Sequence, residues 1–333
     1  MRLQPFDPRQ PRHLEAAAAT WNQACGPELA ISSHFVRFNS QPATGSRQAG
    51  RLALVDDAVA GFILASALPD DVATSPPEVG WIDALAVAPA WQRSGVGSAL
   101  LGWAEGWLAE QGCTAARLGG SLRPFAPGLP AALASAAFFQ ARGYRPRASE
   151  GTVWDLARDL AAYASPAQVA SPSAGLPVRL AIGRSADAAP LLAFLQREFP
   201  GRWRFEFEEF RRMGGKLSEF CLLWRRAAGR AARVEGFCRI RRRWRYAVDP
   251  LDRYFMQGLP RPWGQLGPIG VGAGSRGLGL GAALLDFGLR RLQACGVRGC
   301  VIDWTTALDF YAPFGFQPRR EYRVLVKQLT PQD

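Results

Sequence analysis

The sequence predicts an α/β protein of two domains in tandem, and three observations carry this expectation. A glycine-rich loop occurs twice, the same order of strands and helices surrounds each copy, and a stretch rich in Ala, Ser and Pro separates the two halves. The 333 residues, 48% of them hydrophobic, are enough to build two cores. Alternating strands and helices are typical of layered structures in which helices cover a sheet.

Apolar periodicity places the elements of both halves in the same order. In the first half we expect a short opening strand, helices near 11–24 and 31–38, and strands near 51–56, 59–66 and 79–87. In the second half we expect a strand near 178–182, helices near 186–199 and 204–213, and strands near 219–225, 233–240 and 265–271. The repeated order indicates two copies of one architecture.

A glycine loop follows the last of these strands in each half. The first loop reads Gln92-Arg93-Ser94-Gly95-Val96-Gly97, and the second, 184 residues later (276 − 92), reads Arg276-Gly277-Leu278-Gly279-Leu280-Gly281. Apolar residues at helical spacing come next, namely Leu100, Trp103, Ala104 and Trp107 in one copy and Leu285, Leu289 and Leu292 in the other. Gly112 and Gly296 then stop the helices, and strands near 113–118 and 299–304 follow. Such a loop aims backbone N–H groups and a helix N-terminus at one point, which suits a phosphate.

The boundary between the halves lies in a segment without apolar periodicity, AAYASPAQVASPSAGLPV at 161–178, which has the composition of a linker. We therefore predict an N-terminal domain at 1–162, a linker at 163–177 and a C-terminal domain at 178–333.

Charge is concentrated in the second half. Residues 1–165 have a net charge of −1 and residues 166–333 of +13. The basic half is suited to attract an anionic cofactor, an acidic substrate or nucleic acid. Its densest cluster, Arg239-Ile240-Arg241-Arg242-Arg243-Trp244-Arg245-Tyr246, is compatible with single-stranded nucleic acid, but a solvated loop or attraction for an anionic cofactor needs fewer assumptions.

The rest of the composition excludes several classes of protein. The six cysteines form no C-x-x-C pair, and the only histidines are His13 and His34, so we expect no metal site and reduced, mostly buried thiols. Neither an apolar run of membrane-spanning length nor a signal-peptide core is found, so we expect a cytoplasmic protein with no membrane partner.

The loops and their surroundings resemble the GCN5-related N-acetyltransferases. The acetyl-CoA signature of that family, V-x-P-x-x-[QR]-x-x-G-x-[GA], is matched in full at Val87, Pro89, Gln92, Gly95 and Gly97. The second copy matches at Val271, Arg276, Gly279 and Gly281, with Ala273 in place of the proline. The FYxxxGF-like element of the family is matched at 310–316 and, as FFQARGY, at 138–144. The chain is thus similar to a tandem member of this family.

The resemblance implies two mixed, splayed central sheets flanked by helices, each with a site for acetyl-CoA. It implies that backbone groups of Leu85 to Val87 and of Ile269 to Val271 bind the pantetheine arm. Residues of the loops would cradle the phosphates, namely Gln92, Arg93, Gly95, Val96 and Gly97 in the first half and Arg276, Gly277, Gly279 and Gly281 in the second. Glycines leave room for close approach of a pyrophosphate, and Arg93 and Arg276 add positive charge.

The resemblance also implies a proton donor for the departing thiolate. This role falls on Tyr311, the second residue of the FYxxxGF-like element, since a phenol is protonated at neutral pH. The first half has Phe139 there, without a hydroxyl, and Tyr144 aligns with Phe316 in the core. The first half also has twelve extra residues, within 119–135, beside the expected acceptor cleft, which fits a specialised lid or a decayed site.

The general base has several candidates. Asp83 lies where family members often place an acid, whereas the equivalent position of the second half is Gly267. The second half offers Asp303, Asp309 and Glu206, of which Asp303 is preferred because it follows the fifth strand where the sheet should open. As acceptor-site residues we predict Trp203, Trp263, Trp304 and Asp83, with Tyr246, Tyr254, Phe255 and Arg261 as further possible wall residues.

We therefore expect an acetyl-CoA-dependent N-acetyltransferase that acts on a primary amine of a small molecule by direct attack, with chemistry mainly in the C-terminal domain. Two alternatives stay open: an active site in the N-terminal domain, or a tandem module that senses CoA or binds protein without turnover. The identity of the amine and the oligomeric state are not given by the sequence.

Overall fold

A computed structural model describes residues 1–147, 151–167, 169, 177–226, 229, 231–242 and 249–329. Contacts between Cα atoms divide the chain into two compact units, Met1–Val153 with Asp249–Gln257 and Arg320–Asp333, and Trp154–Val248 with Gly258–Arg319. Part of the predicted linker, at 168 and 170–176, lies outside the described residues. The domain boundaries at 162 and 178 stay predictions, because the compact units follow packing rather than chain order.

The helices and strands follow the predicted order in both halves. The first half contains β1 (Arg2–Pro5), α1 (Pro11–Cys25), α2 (Ser33–Asn39), β2 (Arg47–Val55), β3 (Ala58–Ala67), β4 (Val79–Val87), α3 (Val96–Glu110), β5 (Ala115–Leu118), β6 (Leu129–Pro130), α4 (Ala136–Gln140) and β7 (Arg145–Pro146). After it come β8 (Thr152–Asp159), β9 (Val178–Ile182), α5 (Ala188–Glu198), α6 (Arg202–Arg212), β10 (Phe220–Arg225), β11 (Arg233–Arg242), β12 (Trp263–Val271), α7 (Leu280–Ala294), β13 (Gly299–Thr305), α8 (Leu308–Tyr311), β14 (Gln317–Arg323) and β15 (Leu325–Gln328). The predicted fold class, two mixed sheets flanked by helices, is confirmed.

The sheet of the first unit has the strand order β1-β2-β3-β4-β5-β15-β7. Its pairs are antiparallel except β4 with β5. Side chains alternate between its two faces, so Ile63 and Ala65 of β3 pack in the core that contains α3, while Phe62 and Leu64 pack in the core that contains α1 and α2. The helices thus cover both faces of the sheet.

Helix α1 forms because Pro11 starts it and its buried residues recur at helical spacing. Leu14, Ala17, Ala18 and Trp21 are all buried, and Gly26, with φ of 77°, ends the helix. This face packs against β3 and β4 in the second core of the unit. The C-terminal turn of α1 is therefore fixed beside β4.

The second unit repeats the architecture. Its strands follow the order β14-β8-β13-β12-β11-β10-β9, and the parallel pair is β12 with β13. Helix α7 packs with β10, β11 and β12, and α5 packs with α6 and β11. The aromatic residues Phe194, Phe207, Phe210, Phe220 and Phe237 fill the core on the side of α5 and α6.

Chain segments from late in the sequence complete the first unit. Strand β15 pairs with β5 on one side and β7 on the other, and the last residues of β14, Tyr322 and Arg323, pair with β6. Strand β8, which follows the first half in the chain, pairs with β13 of the second unit. The first unit is therefore not a continuous piece of sequence.

Residues 249–257 also belong to the first unit. The backbone N–H of Ser32 donates to Asp252 Oδ1 at 2.9 Å, and that of Gln257 donates to Glu28 Oε2 at 2.9 Å. Arg320, buried at the start of the last segment, donates through Nε to Glu28 Oε1 at 3.1 Å. These hydrogen bonds fasten two late segments to the turn after α1.

We predict that β15 is essential to the stability of the first unit. Leu325 is fully buried in its core, so Leu325→Ala should lower the free energy of unfolding by about 3 kcal/mol, as expected for a truncated core leucine. Urea denaturation followed by circular dichroism measures the loss. Gln328→Ala, at an exposed position of the same strand, is the matched control and should change it by less than about 0.5 kcal/mol. Equal effects of the two substitutions would contradict the placement of β15.

Candidate active site

In each unit the two parallel strands separate partway along their length. The pairing of β4 with β5 runs from Val79 with Ala115 to Ile82 with Leu118 and stops there. The pairing of β12 with β13 stops at Gln265 with Val301. The remaining residues of β4 and β12 face an opening on that side, so backbone groups of Leu85 to Val87 and of Ile269 to Val271 lie at a free strand edge.

A bulge lies at the start of each free edge. The register of β3 against β4 shifts between Leu64 and Ala65, so that Asp83 has no residue opposite it. The register of β11 against β12 shifts between Cys238 and Ile240, which places Gly267 in the corresponding irregular stretch. A bulge bends its strand and redirects the side chain of the extra residue. Asp83 in the first unit is thus set apart from the regular alternation of β4.

The two glycine loops have matching backbone geometry. Gly95 and Gly279 cap α3 and α7 in the left-handed conformation, with φ of 91° and 71°. Two residues earlier in each loop, Arg93 and Gly277 have φ of 64° and 74°. The first loop therefore holds an arginine in a conformation that glycine adopts freely and other residues rarely do.

Each loop is tied back to the strand before it by its first side chain. Gln92 Nε2 donates to the carbonyl of Val87 at 3.1 Å, and Arg276 Nε donates to the carbonyl of Val271 at 3.4 Å. A Cβ on Gly97 would lie 3.3 Å from the ring of Phe138, and one on Gly281 would lie 3.7 Å from the ring of Phe310. Gly97 and Gly281 thus let an aromatic ring pack close to the first turn of the helix, whereas a Cβ on Gly95 or Gly279 would meet nothing within 4 Å, so the loop itself is open to a ligand. This geometry fits a bound pyrophosphate in both units.

A cavity of about 900 Å³, called the first cleft below, extends from the first loop along the free edge of β4. Its lining includes loop residues Gln92, Arg93, Gly95 and Gly97 and strand residues Ile82 to Val87. Trp21, Ala24 and Cys25 of α1 line it, as do Leu129, Pro130 and Leu133 after β5 and Arg142 after α4. From Asp83 to Val87 the strand covers about 13 Å. The cleft thus connects the first glycine loop with a buried carboxylate.

Asp83 is a buried acid without a cationic partner among the hydrogen bonds described. Its exposed fraction is 3%, Ser66 Oγ donates to Oδ1 at 2.7 Å, and Gln48 Nε2 donates to Oδ2 at 2.8 Å. Burial raises the pKa of Asp83 to about 6, and the hydrogen bonds from Gln48, Ser121 and Ser66 oppose part of this rise. A carboxyl group with a pKa close to neutrality is suited to exchange protons at physiological pH.

The extra residues of the first half form a fixed wall of the cleft. Phe125 packs against Trp21, Phe35 and Phe62, with ring centroids 5.5, 5.3 and 6.4 Å apart. Strand β6, Leu129–Pro130, pairs with Arg323 and Tyr322. The packing of Phe125 and the pairing of β6 bury this segment against the unit. It therefore forms a wall of the cavity and is not a movable lid.

The aromatic element of the first unit supplies no phenol to the cleft. Phe139 lines it, whereas Tyr144 is fully buried and donates to Glu105 Oε1 at 3.0 Å. Burial and the Glu105 carboxylate both raise the pKa of Tyr144 above its ordinary value. Ser135, also a lining residue, has a buried hydroxyl with no hydrogen-bond partner within the described part of the chain. Its Oγ is not exposed to the cavity, so a ligand would contact this hydroxyl only after the side chain turned.

The predicted catalytic pair of the second unit consists of a buried tyrosine and a hydrogen-bonded carboxylate. Tyr311 is buried, and burial followed by the charge of Asp303 raises its pKa above the ordinary value of 10. Asp303 Oδ1 accepts a hydrogen bond from Gln265 Nε2 at 2.6 Å, and Gln265 accepts one from Arg241 Nε at 2.7 Å. A Cβ on Gly267 would be 3.6 Å from Asp303 Oδ1. Gln265 Nε2 would be nearer, at 2.9 Å, so Asp303 lies beside the position of Gly267 and shares its surroundings with Gln265.

The predicted acceptor-site tryptophans are spread over the second unit. Trp203 packs on Phe199 and Phe237. Its ring also lies against Gly270, at the free edge of β12, where a Cβ would be only 2.8 Å from it. Trp304, which follows Asp303, has a φ of 50°. The guanidinium carbon of Arg202 lies over its ring, 4.3 Å from the ring centroid. Trp263 is buried at the other end of β12, about 26 Å along the strand from Val271. The structure does not bring Trp263 to the loop.

The remaining candidates have other surroundings. Glu206 accepts a hydrogen bond from Arg202 at 2.6 Å, and Asp309 is exposed at the first turn of α8. Tyr254 and Phe255 belong to the first unit, Arg261 is exposed, and Tyr246 lies outside the described residues. Of the basic cluster, Arg239 pairs with Glu219 at 2.9 Å and Arg241 binds Gln265, while 243–248 lie outside the described residues.

Several cleft residues were not predicted from the sequence. Ser66 lies in the otherwise apolar strand β3, and Gln48 lies in β2, both with side chains directed at Asp83. A polar residue within an apolar strand was the available signal for Ser66. No local pattern marks Ser135, Trp21 or Arg142, because their place in the cleft follows from tertiary packing.

No helix of the described residues combines the length and apolarity needed to cross a bilayer. Within the same residues no cluster of three or more His, Cys, Asp or Glu side chains is arranged to hold a metal ion. All six cysteines are free thiols.

Comparison with known proteins identifies the family. The sequence profile of the acetyltransferase (GNAT) family matches residues 15–124 and 189–316, which together exceed half of the chain. The fold and the paired loops define an acyltransferase with two domains in tandem. The chain belongs to the acetyltransferase (GNAT) family.

Solved structures share the whole fold at low identity. A GCN5-related glucosamine N-acetyltransferase region in a fungal multi-domain GH3 β-N-acetylglucosaminidase has a TM-score of 0.84 and 22% identity, covering 98% of this chain and 38% of that one. A tandem GNAT protein from the clavulanic acid biosynthesis pathway has a TM-score of 0.71 and 16% identity, covering 100% and 99%. A GCN5-related N-acetyltransferase from Sphaerobacter thermophilus has a TM-score of 0.67 and 17% identity. The match covers 99% of this chain and 97% of that one.

The chain therefore spans 38% of the length of the fungal protein, and nearly all of the other two. No curated protein sequence matches it significantly.

We predict that Asp83 makes the stability of the protein depend on pH. Its pKa in the folded protein, about 6, lies above the ordinary 3.8, so folding favours the protonated form. Its contribution to stability is fully present below about pH 4 and is lost as pH rises through 6, by an amount on the order of 3 kcal/mol. Urea unfolding of the wild type and Asp83→Asn between pH 4 and 7 measures this, and the difference between the two curves should change across that window. Parallel curves would contradict the raised pKa.

Proposed function

We propose that the protein transfers the acetyl group of acetyl-CoA to a primary amine of a small molecule, and that the first cleft is the main site. The observation that carries the proposal is one cavity that joins the first glycine loop to buried Asp83. The sequence favoured the second half because Tyr311 lies there. The geometry favours the first, since its loop, free strand edge and acid face a common space.

Residues of the first cleft fit acetyl-CoA, which supplies the acetyl group as a thioester. The N–H groups of the loop and the N-terminus of α3 would bind the pyrophosphate. Arg93 and Arg142 provide positive charge at this end of the cleft, and Arg142 is held there by its contact with the Phe138 ring, 3.8 Å from the centroid. The free edge of β4, from Leu85 to Val87, would pair with the pantetheine amides.

The chemistry follows from the positions of Asp83 and the free edge. The amine enters as an ammonium ion, and Asp83 accepts one proton so that the nitrogen lone pair is free to attack the thioester carbon. Backbone N–H groups at the edge of β4 stabilise the negative charge on the carbonyl oxygen. The N–C bond forms and the C–S bond breaks. Because Asp83 already holds the first proton, the second proton of the nitrogen passes through water to the departing thiolate.

The leaving sulfur needs a proton, and Ser135 would have to turn its buried hydroxyl toward the cavity to assist. The first cleft has no phenol, but the hydroxyl of Ser135 lies in its wall without a partner within the described part of the chain. A thiol with an ordinary pKa of about 8.5 also leaves as a thiolate more readily than an alcohol does. Protonation of the leaving sulfur is thus less demanding than deprotonation of the amine. The proposal therefore depends mainly on the base, Asp83.

A second site in the other unit is supported by the position of Asp303. Its carboxylate lies beside Gly267, the counterpart of Asp83, with Oδ1 3.6 Å from where a Cβ on that glycine would be, and its charge raises the pKa of Tyr311. The high pKa of Tyr311 makes it a weak acid, so proton donation to the sulfur would be slower than from an exposed phenol. Acetyl transfer with Asp303 as base and Tyr311 as acid is therefore the second candidate.

The acceptor is proposed to be a small molecule because the cleft is walled by α1 and by the anchored segment before α4. The glucosamine N-acetyltransferase region of the fungal protein offers an aminated small molecule as precedent, at an identity that shows only the fold. We also propose a cytoplasmic setting, since free thiols are typical of reducing compartments.

We predict that blocking the first loop abolishes turnover. In Gly97→Trp the side chain would start 3.3 Å from the Phe138 ring, so the indole would be forced into the cleft beside the loop, and acetyl-CoA binding to this unit and kcat/KM should fall by at least about 100-fold. Gly281→Trp is the matched variant, because Phe310 stands at the same place in the second unit. Thiol release and calorimetry with CoA measure turnover and binding.

The results for the two variants distinguish an active site in the first unit, an active site in the second unit, and a module without turnover. Loss of turnover in Gly281→Trp alone would move the chemistry to the second unit, where Tyr311→Phe would then lower kcat. CoA binding without turnover of any amine would favour a sensing module.

We predict that Asp83 sets the pH dependence of catalysis. In the wild type, kcat/KM should rise with pH through about 6 as Asp83 loses its proton, and Asp83→Asn should lose this limb together with roughly 100-fold or more of the activity. Rates of thiol release between pH 5 and 8 test this. An unchanged limb in Asp83→Asn would exclude Asp83 as the base.

A further inference from the structure

The charges along the first cleft are segregated. Its lining contains three charged side chains, Asp83, Arg93 and Arg142. Arg93 belongs to the glycine loop, and Arg142 donates to Ser98 in the first turn of α3, so both cations lie at the phosphate end. Asp83 lies at the other end, beyond Leu85. The acceptor end thus contains one negative charge and no positive charge among its described lining residues.

The carboxylate of Asp83 is held by neutral groups. Its hydrogen-bond donors are the hydroxyls of Ser66 and Ser121 and the amide of Gln48, and none of these neutral groups neutralises its charge. An ionised group that is 97% buried is costly unless a cation approaches it. A ligand with a single ammonium group would supply that cation. A second ammonium group would find no second acid on these walls.

The other walls of the acceptor end are apolar. Trp21 and Ala24 face the cavity from α1, and Leu129, Pro130 and Leu133 face it from the segment before α4. Cys25 is neutral, because burial raises the pKa of its thiol to about 12. A carboxylate or phosphate on the acceptor would have to be buried here without a cation, which costs much more free energy than burying a methylene group gains.

We propose that the acceptor of the first cleft is a monoamine whose remaining body is uncharged and mainly apolar, such as an arylalkylamine or alkylamine. This inference rests on the proposed function, and it names the class of amine that the walls select. The cleft discriminates against amino acids by the absence of a cation at its acceptor end, against diamines by the absence of a second acid, and against aminosugars by the scarcity of hydrogen-bonding side chains.

Matched pairs of amines test the proposal with the wild-type enzyme. Phenethylamine is compared with L-phenylalanine, which adds a carboxylate, and n-hexylamine with cadaverine, which replaces a methyl group by an ammonium group. Glucosamine is included as a monoamine whose remaining groups are uncharged but polar. With thiol release as the readout, kcat/KM should be at least about tenfold higher for phenethylamine and n-hexylamine than for their partners and for glucosamine.

A substitution in the wall tests the cause of this selectivity. Ala24→Arg places a cation at the acceptor end, and it should raise kcat/KM for L-phenylalanine relative to phenethylamine by about tenfold. Gln23→Arg is the matched control, since Gln23 is exposed and adjacent in sequence but does not line the cleft. It should leave the ratio of the two amines as it is in the wild type.

The outcomes distinguish this inference from the function on which it rests. Equal or higher kcat/KM for L-phenylalanine, cadaverine or glucosamine would overturn the inference while acetyl transfer stands. An unchanged ratio in Ala24→Arg would overturn the charge argument. CoA binding without acetylation of any amine would overturn both proposals.

Discussion

The early end of the parallel pairing between β4 and β5 is the constraint on which the rest of the first unit depends. Strand pairing normally satisfies backbone groups on both edges, and here four hydrogen-bonded residue pairs are followed by a free edge. The bulge at Asp83 begins this edge, the glycine loop ends it, and α1 and the anchored segment wall it. The glycine loop, the free backbone groups and the acid are brought together because one strand continues after its neighbour has diverged.

The two units show how one backbone design supports unequal chemistry. Both keep a left-handed glycine before the helix and a bulge in the preceding strand. The acid, however, comes from the bulge in the first unit and from the fifth strand, at Asp303, in the second. Similarly, the first unit has phenylalanine where the second has buried Tyr311. The backbone thus fixes where a ligand can lie, and a few side chains decide what happens to it.

Local patterns predicted much of the fold and the loops, because they reside in consecutive residues. Helices α1, α3 and α7 follow from apolar spacing and their glycine stops, and the strands from short apolar runs. The sequence did not indicate that β15 lies between β5 and β7, since an edge's partner depends on packing across the whole chain. For the same reason it identified Asp83 but not Ser66 and Gln48, whose contact with it joins residues 17 and 35 positions apart.

The position of β15 has a consequence for biosynthesis. During translation the first half emerges with its glycine loop and Asp83 already made, yet the gap between β5 and β7 stays unfilled until residues 325–328 leave the ribosome. Domains usually fold in the order in which they are made. Here the earlier half of the chain completes its sheet last, so a nascent or prematurely terminated chain carries exposed strand edges that are open to aggregation or to chaperones.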